Sequence, residues 1–263
     1  QLMPVLSFAS TFGGDIISLQ HRRFDRNWGT NNRINNPNRL TIEDGLSKTW
    51  TWSNVFSYNT IWNKNHNFSA LVGTEAIKGN GYLHSSTQQD FPDQSSILVF
   101  LGNGLGNTMV NENRWGYALM SVFGKANYGY KDKYLFSATL RRDGSSRFSE
   151  ENKWGTFYSF SAGWRIDKEA FMSRFDKLNY FKLRLGYGAI GNQEVGNYAY
   201  SDQMGYNFNY PFNGTLFNGY AITVLGNHNL QWETSTQLNA GFDLAWLQDK
   251  ITLSIDLYNK VNE

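Results

Sequence analysis

Three arginines, an aspartate and a phenylalanine crowd one short stretch, at Arg141, Arg142, Asp143, Arg147 and Phe148. Guanidinium forks bind carboxylates and hydroxyl-rich ligands, and an aromatic face suits a sugar, so this cluster could grip an oligosaccharide or peptide. The plainer reading is a loop held by its own Asp143-Gly144 turn and by internal ion pairs. Trp154 and Trp232 could stack on sugars, with girdle or loop-core packing as the alternative. Residues 191–231 add Tyr198, Tyr200, Tyr206, Phe208, Tyr210, Phe212 and Phe217, rings suited to ligand stacking, to docking a lid protein, or to packing on one another. The expected substrate-binding set is therefore Arg142, Asp143, Arg147, Trp154, Tyr206, Tyr210 and Trp232.

Other chemistries find no comparable grouping. The run Gly102-Asn103-Gly104-Leu105-Gly106 lacks the strand-loop-helix setting and the lysine of a phosphate loop. His21, His66, His84 and His228 show no close metal-ligand spacing, and Glu150-Glu151 reads as solvated acid rather than a calcium site. An outer-membrane barrel enzyme would need a carboxylate and a histidine on its outer loops. His84 with Asp90, or His228 with Glu233, could be imagined there, but neither pair carries a diagnostic motif. With no cysteine, disulfides, Cys-ligated zinc and thiol catalysis are excluded together. A net charge of +2 without a basic tract gives no footprint for nucleic acid. Neither catalytic residue, metal nor cofactor is expected.

The elements that must position these residues are strands. Aromatic residues make up 16% of the 263 residues and glycine occurs 25 times, which favours many short strands over helices. Mean hydropathy is -0.51, and no run of about 18 apolar residues exists to form a membrane helix. Barrel strands escape that test, because only every second residue faces lipid. About ten segments alternate with a two-residue period. In one, Ile251, Leu253, Ile255 and Leu257 oppose Thr252, Ser254 and Asp256; in another, Leu238, Ala240, Phe242, Leu244 and Trp246 oppose Gln237, Asn239, Gly241 and Asp243.

Short connections are expected at Gly13-Gly14, around Asn63 to Asn65, at Lys131-Asp132-Lys133 and at Gln248-Asp249, alternating with long polar stretches at 25–45, 79–114, 143–153 and 191–231. That parity suits a transmembrane barrel with tight periplasmic turns and long extracellular loops. A longer lower connection, 167–179, has room for a short helix around Lys168 to Arg174. Trp62, Tyr130, Tyr134, Trp164 and Trp246 fall beside the short connections, and Trp50, Trp115, Trp154 and Trp232 near the other strand ends, as two interfacial girdles would. A soluble carbohydrate-binding β-protein would alternate too and remains the rival. Gln1-Leu2-Met3-Pro4 opens no signal peptide, and alternation runs almost to Glu263, so an excerpt of a longer chain is expected.

Particular residues then narrow the class. LRRDGSSRFSEENKWGTFYSFSAGWRI, Leu140 to Ile166, resembles the signature of SusC/RagA-type outer-membrane proteins, R-x-D-G-S-S-R-F followed by K-W-G and S-x-x-W. KLRLGYGAIGNQ, Lys182 to Gln193, is similar to the family's next strand with its G-x-x-G-N-Q ending. The stretch from Leu225 to Lys260 resembles N-L-x-W-E-x-x-x-Q-x-N-x-G-x-D and a strand ending D-x-Y-N-K. The resemblance covers roughly the second half; residues 1–114 carry no such motif. It implies an all-β, antiparallel transmembrane barrel of about 22 strands, of which residues 1–263 are a middle portion of wall without the N-terminal plug domain. It further implies a TonB-dependent importer of oligosaccharide or peptide in a Gram-negative outer membrane. Such an importer is energised by the TonB complex through the plug region and paired with a SusD-like surface lipoprotein.

Overall fold

The computed structural model describes residues 5–30, 33–95, 97–175 and 177–262; the opening Gln1 to Pro4 lies outside them. Among the described residues, nine strands stand side by side in chain order as one sheet. They are β1 (Val5–Asp25), β2 (Arg39–Trp62), β3 (His66–Gln89), β4 (Thr108–Tyr130), β5 (Tyr134–Ser145), β6 (Trp154–Arg165), β7 (Leu178–Asn192), β8 (Glu233–Trp246) and β9 (Ile251–Asn262). The expected turn at Gly13-Gly14 is absent: both residues lie inside the 21-residue β1. Neither has a positive φ, so the pair is extended strand, and two expected segments merge into one.

Two of the long connections, 25–45 and 79–114, are also shorter than their polar composition suggested, while 191–231 is as long as expected. β2 and β3 each run for 24 residues and β4 for 23, so polar sequence beyond the apolar band continues as strand. A tilted membrane strand needs only about 9–11 residues, so these three carry on well outside hydrocarbon.

The fold divides into two compact units. Residues 5–12, 52–76 and 118–262 make the first, and residues 13–51 and 77–117 the second.

In the first unit the register sorts side chains into two faces. Tyr128, Phe136, Ala162, Leu185, Ala240 and Leu257 stand opposite one another in one row across β4 to β9. One residue along, the row is Asn127, Ser137, Ser161, Gly186, Asn239 and Tyr258. Because successive side chains point to opposite sides of a strand, the first row lies on an apolar face and the second on a polar one. Leu185 and Leu257 are 55% and 72% exposed on the apolar face, an arrangement that hydrocarbon satisfies and water does not.

The tight turns use consecutive left-handed residues, Asn63 and Lys64 at φ 51° and 57°, and Lys131 and Asp132 at 53° and 52°, within connections of three residues. Beside them Tyr130, Tyr134 and Trp164 share the apolar face. The expected short helix is two 3-10 turns, Ile166–Lys168 and Ala170–Arg174. Arg165 donates to both Asp167 oxygens at 2.8 and 2.6 Å, and Asp167 also accepts from the Phe181 N–H. Glu169 accepts from Tyr134 Oη at 2.7 Å, Trp164 Nε1 at 3.1 Å and Lys133 Nζ at 3.1 Å. Those donors, Tyr134 first, hold its carboxyl below the ordinary glutamate value.

The second unit has a small core of its own. Leu40, Phe91 and Val99 are buried, with Phe24, Ile42 and Leu101 packed around them. Buried Asn38 closes it by accepting from the Phe91 N–H at 2.6 Å and donating to the Phe91 carbonyl at 2.9 Å. The residue 90–107 connection is therefore folded onto strand ends rather than left as free loop. No alternation in the sequence predicted it.

Candidate functional site

The polar face of the first unit is built around Arg184 on β7. Its guanidinium donates to Asp243 of β8 at 2.8 and 3.0 Å and reaches Asp256 of β9 at 2.9 Å. Ser254 donates to Asp243 at 2.7 Å. In register, Gly163, Arg184, Gly241 and Asp256 form one row, so Arg184 must pass over position 241 to reach Asp256. A Cβ at Gly241 would fall on the Asp256 carboxylate, which explains glycine there. Arg184, Gly241 and Asp243 all belong to the stretches that resemble SusC/RagA-type proteins, and the network supplies their common reason. It pairs the charges of Arg184, Asp243 and Asp256 across three strands of the polar face.

The second assembly sits where β5, β6, β7 and β8 end. Arg141 donates to Asp143 at 2.7 and 2.9 Å and to Ser121 at 2.8 Å, reaches Glu75 at 3.3 Å, and lies over the Phe123 ring. Ser145 Oγ donates to Gln193 Oε1 at 2.5 Å. Arg147 donates to the Gln193 carbonyl at 3.2 Å and to Asn197 Oδ1 at 3.1 Å. Phe148, 2% exposed, packs on Trp232 with centroids 5.3 Å apart, and Phe157 meets the same indole edge-on at 5.3 Å. The Trp232 indole donates to the Lys153 carbonyl at 3.0 Å. Three segments distant in sequence thus close one loop core. Asp143, Arg147 and Trp232 of the expected set are brought together here, with their polar groups engaged inside the protein.

The other four expected residues lie elsewhere. Arg142 alternates onto the face of Leu140 and Phe136, and its guanidinium sits 5.4 Å from the Trp154 ring. Tyr206 lies on the hairpin Gln203–Tyr206/Tyr220–Val224, opposite Tyr220. Tyr210 lies on Tyr210–Phe212/Thr215–Phe217, opposite Phe217. Tyr206 is 73% exposed, and Tyr210, Phe212 and Phe217 also face solvent. Sequence reasoning passed over Ser145, Phe157 and Gln193 as parts of the loop core. The available signal was the placing of Ser145 and Gln193 just where strand alternation stops.

The model of the TonB dependent receptor-like β-barrel family matches residues 6–261. The TonB-dependent receptor P39 of Formosa agariphila is 32% identical over 270 residues, taking in 100% of this chain and 25% of the receptor. The TonB-dependent receptor SusC of Bacteroides thetaiotaomicron is 43% identical over 144 residues, 53% of this chain and 14% of SusC. Among solved structures, the RagAB peptide transporter superposes with a TM-score of 0.85 at 24% identity, covering 98% of this chain and 28% of that one. The chain therefore spans about a quarter of the length of such relatives. A wall of antiparallel strands with one apolar and one polar face, matched almost end to end by the family model, belongs to the TonB-dependent receptor β-barrel family.

Proposed function

We propose that this chain is part of the wall of a SusC-type importer that brings an oligosaccharide or peptide across a Gram-negative outer membrane. The observation that carries the reading is the two-faced register: Leu185 and Leu257 present to lipid, while the Arg184 network lines a polar interior with paired charge. Relatives bearing the names SusC and RagAB support the class. The wall performs no bond chemistry. It seals the membrane, offers a polar passage and holds the outer loops, while energy arrives through the TonB complex acting on a plug domain.

A SusD-like surface lipoprotein is the proposed partner at the outer mouth. The two aromatic hairpins, with Tyr206 and Tyr210 exposed on them, are its proposed contact or the first substrate contact. Asp143, Arg147 and Trp232 serve substrate indirectly, by fixing the loop core beneath. Arg142 and Trp154 suit the membrane interface, where a cation and an indole meet headgroups.

Replacing residues 203–224 of the whole receptor by a short Gly-Ser linker spares the loop core. The account expects a heat-resistant, assembled barrel with reduced uptake or reduced binding of the partner lipoprotein. Wild-type uptake and wild-type partner binding together would remove the hairpins from the entry site.

A further inference from the structure

We propose that Trp115 and Tyr117 form a stacking platform for a pyranose ring, so that the substrate class of the importer is oligosaccharide. This rests on the importer reading only for the claim that this face meets substrate. The two residues are two apart on β4, with ring centroids 6.1 Å apart and planes within 11° of each other. They lie against the neighbouring strand. A Cβ at Gly81 would meet the Trp115 ring at 2.6 Å, and one at Gly79 would meet the Tyr117 ring at 2.5 Å. Gly116 faces Gly79 O and Asn80 Cβ at 3.7 and 3.9 Å, which places 115 opposite 81 and 117 opposite 79.

Two glycines in a strand interior weaken the strand, and close approach of another group is the usual reason for them. Here the group is an aromatic pair, each ring occupying the space that a Cβ at its facing glycine would need. Both residues stay partly exposed. Covering bare glycines is itself stabilising. That role uses only one ring face and leaves the other face of each ring to a ligand. Two near-parallel rings, each over its own glycine, make a broad aromatic surface.

The surroundings select the ligand. Leu83, whose side chain a Cβ at Gly45 would meet, shares the face of the rings, and alternation adds the polar Ser47 and Thr49 of β2, Ser85 of β3 and Asn113 of β4. These polar groups are neutral, and they both donate and accept, as sugar hydroxyls require, while the C–H face of a pyranose packs on an aromatic ring. Glu43, the nearest acid along that face of β2, is engaged by His21 at 3.2 Å. Glu43 and His21 engage each other, so the groups left beside the rings are neutral and suit hydroxyls better than the charged side chains of a peptide.

The test uses the full-length receptor in detergent. Titration calorimetry would compare linear hexasaccharides of β-1,4-glucan, β-1,3-glucan, α-1,4-glucan, xylan and mannan with a mixed-sequence decapeptide. The proposal expects at least one hexasaccharide to bind, and Trp115→Ala to weaken it about tenfold or more. Trp115→Phe should fall between, and Gly81→Ala, which lifts the indole while keeping it, should also weaken binding. Heat-modifiable migration on gels checks folding; if Trp115→Ala does not assemble, the other two variants decide. No binding by any sugar, sugar binding indifferent to these variants in a folded barrel, or decapeptide binding that depends on Trp115 would each overturn the platform. Binding here needs no TonB, so a receptor that binds sugar through Trp115 but shows no energised uptake would contradict the importer reading and leave the platform standing.

Discussion

At the scale of single residues, the polar or apolar side of the sheet decides what a substitution costs. Leu253 stands opposite Leu244 on the apolar face, and Thr252 opposite Ala245 at the next position. Leu253→Arg would set a charge on the lipid side close to the girdle and is expected to cost about 1 kcal/mol, rising to roughly 2–4 kcal/mol for Leu257→Arg deeper in the band, whereas Thr252→Arg should be tolerated. Equilibrium unfolding of the receptor in lipid vesicles measures all three, and equal losses would refute the register. This alternation was legible in the sequence because hydrophobic and polar residues change places at every step. The partners of Arg184 were not. That Asp243 and Asp256 lie on the next two strands depends on pairing register, which no local run of residues encodes.

Among the elements, the connection holding Ile166–Lys168 and Ala170–Arg174 shows how a lower rim is fastened. Glu169 binds two rings and an ammonium group from neighbouring elements at once, and its depressed pKa records that preference for the charged form. A carboxylate whose folded pKa is depressed adds stability above its unfolded value. That contribution disappears as pH falls through the folded value. Glu169→Gln should therefore lower the unfolding temperature of the detergent-solubilised receptor at neutral pH, and the gap from wild type should close as pH drops below the ordinary value of 4.5. A gap that is unchanged at low pH would mean that charge on Glu169 contributes nothing. The sequence did mark this connection as long enough for a helical turn. The loop core was less visible: Phe148, Phe157 and Trp232 could be read as separate rings, but only the fold makes them neighbours.

For the whole molecule, the sequence carried the class and the parity of connections, because short turns with special residues alternate with long polar stretches. It misjudged strand ends, since polar alternation beyond a membrane looks like loop, and it broke β1 at two glycines that lie extended. The second unit's core at Leu40, Phe91 and Val99 was also hidden, because Phe91 and Val99 come from a connection without periodicity and Leu40 from the very end of a strand. The central claim is that this sheet is membrane wall with turns on one side and loops on the other. Its most direct measurement is thiol labelling on intact cells, which is clean here because these residues include no cysteine. Single cysteines placed at Glu150 or Asn213, both exposed in loops, should react with an impermeant maleimide, and those at Asp132 or Asp249, in tight turns, should react only after the envelope is opened. Equal labelling of all four positions on intact cells would contradict the account.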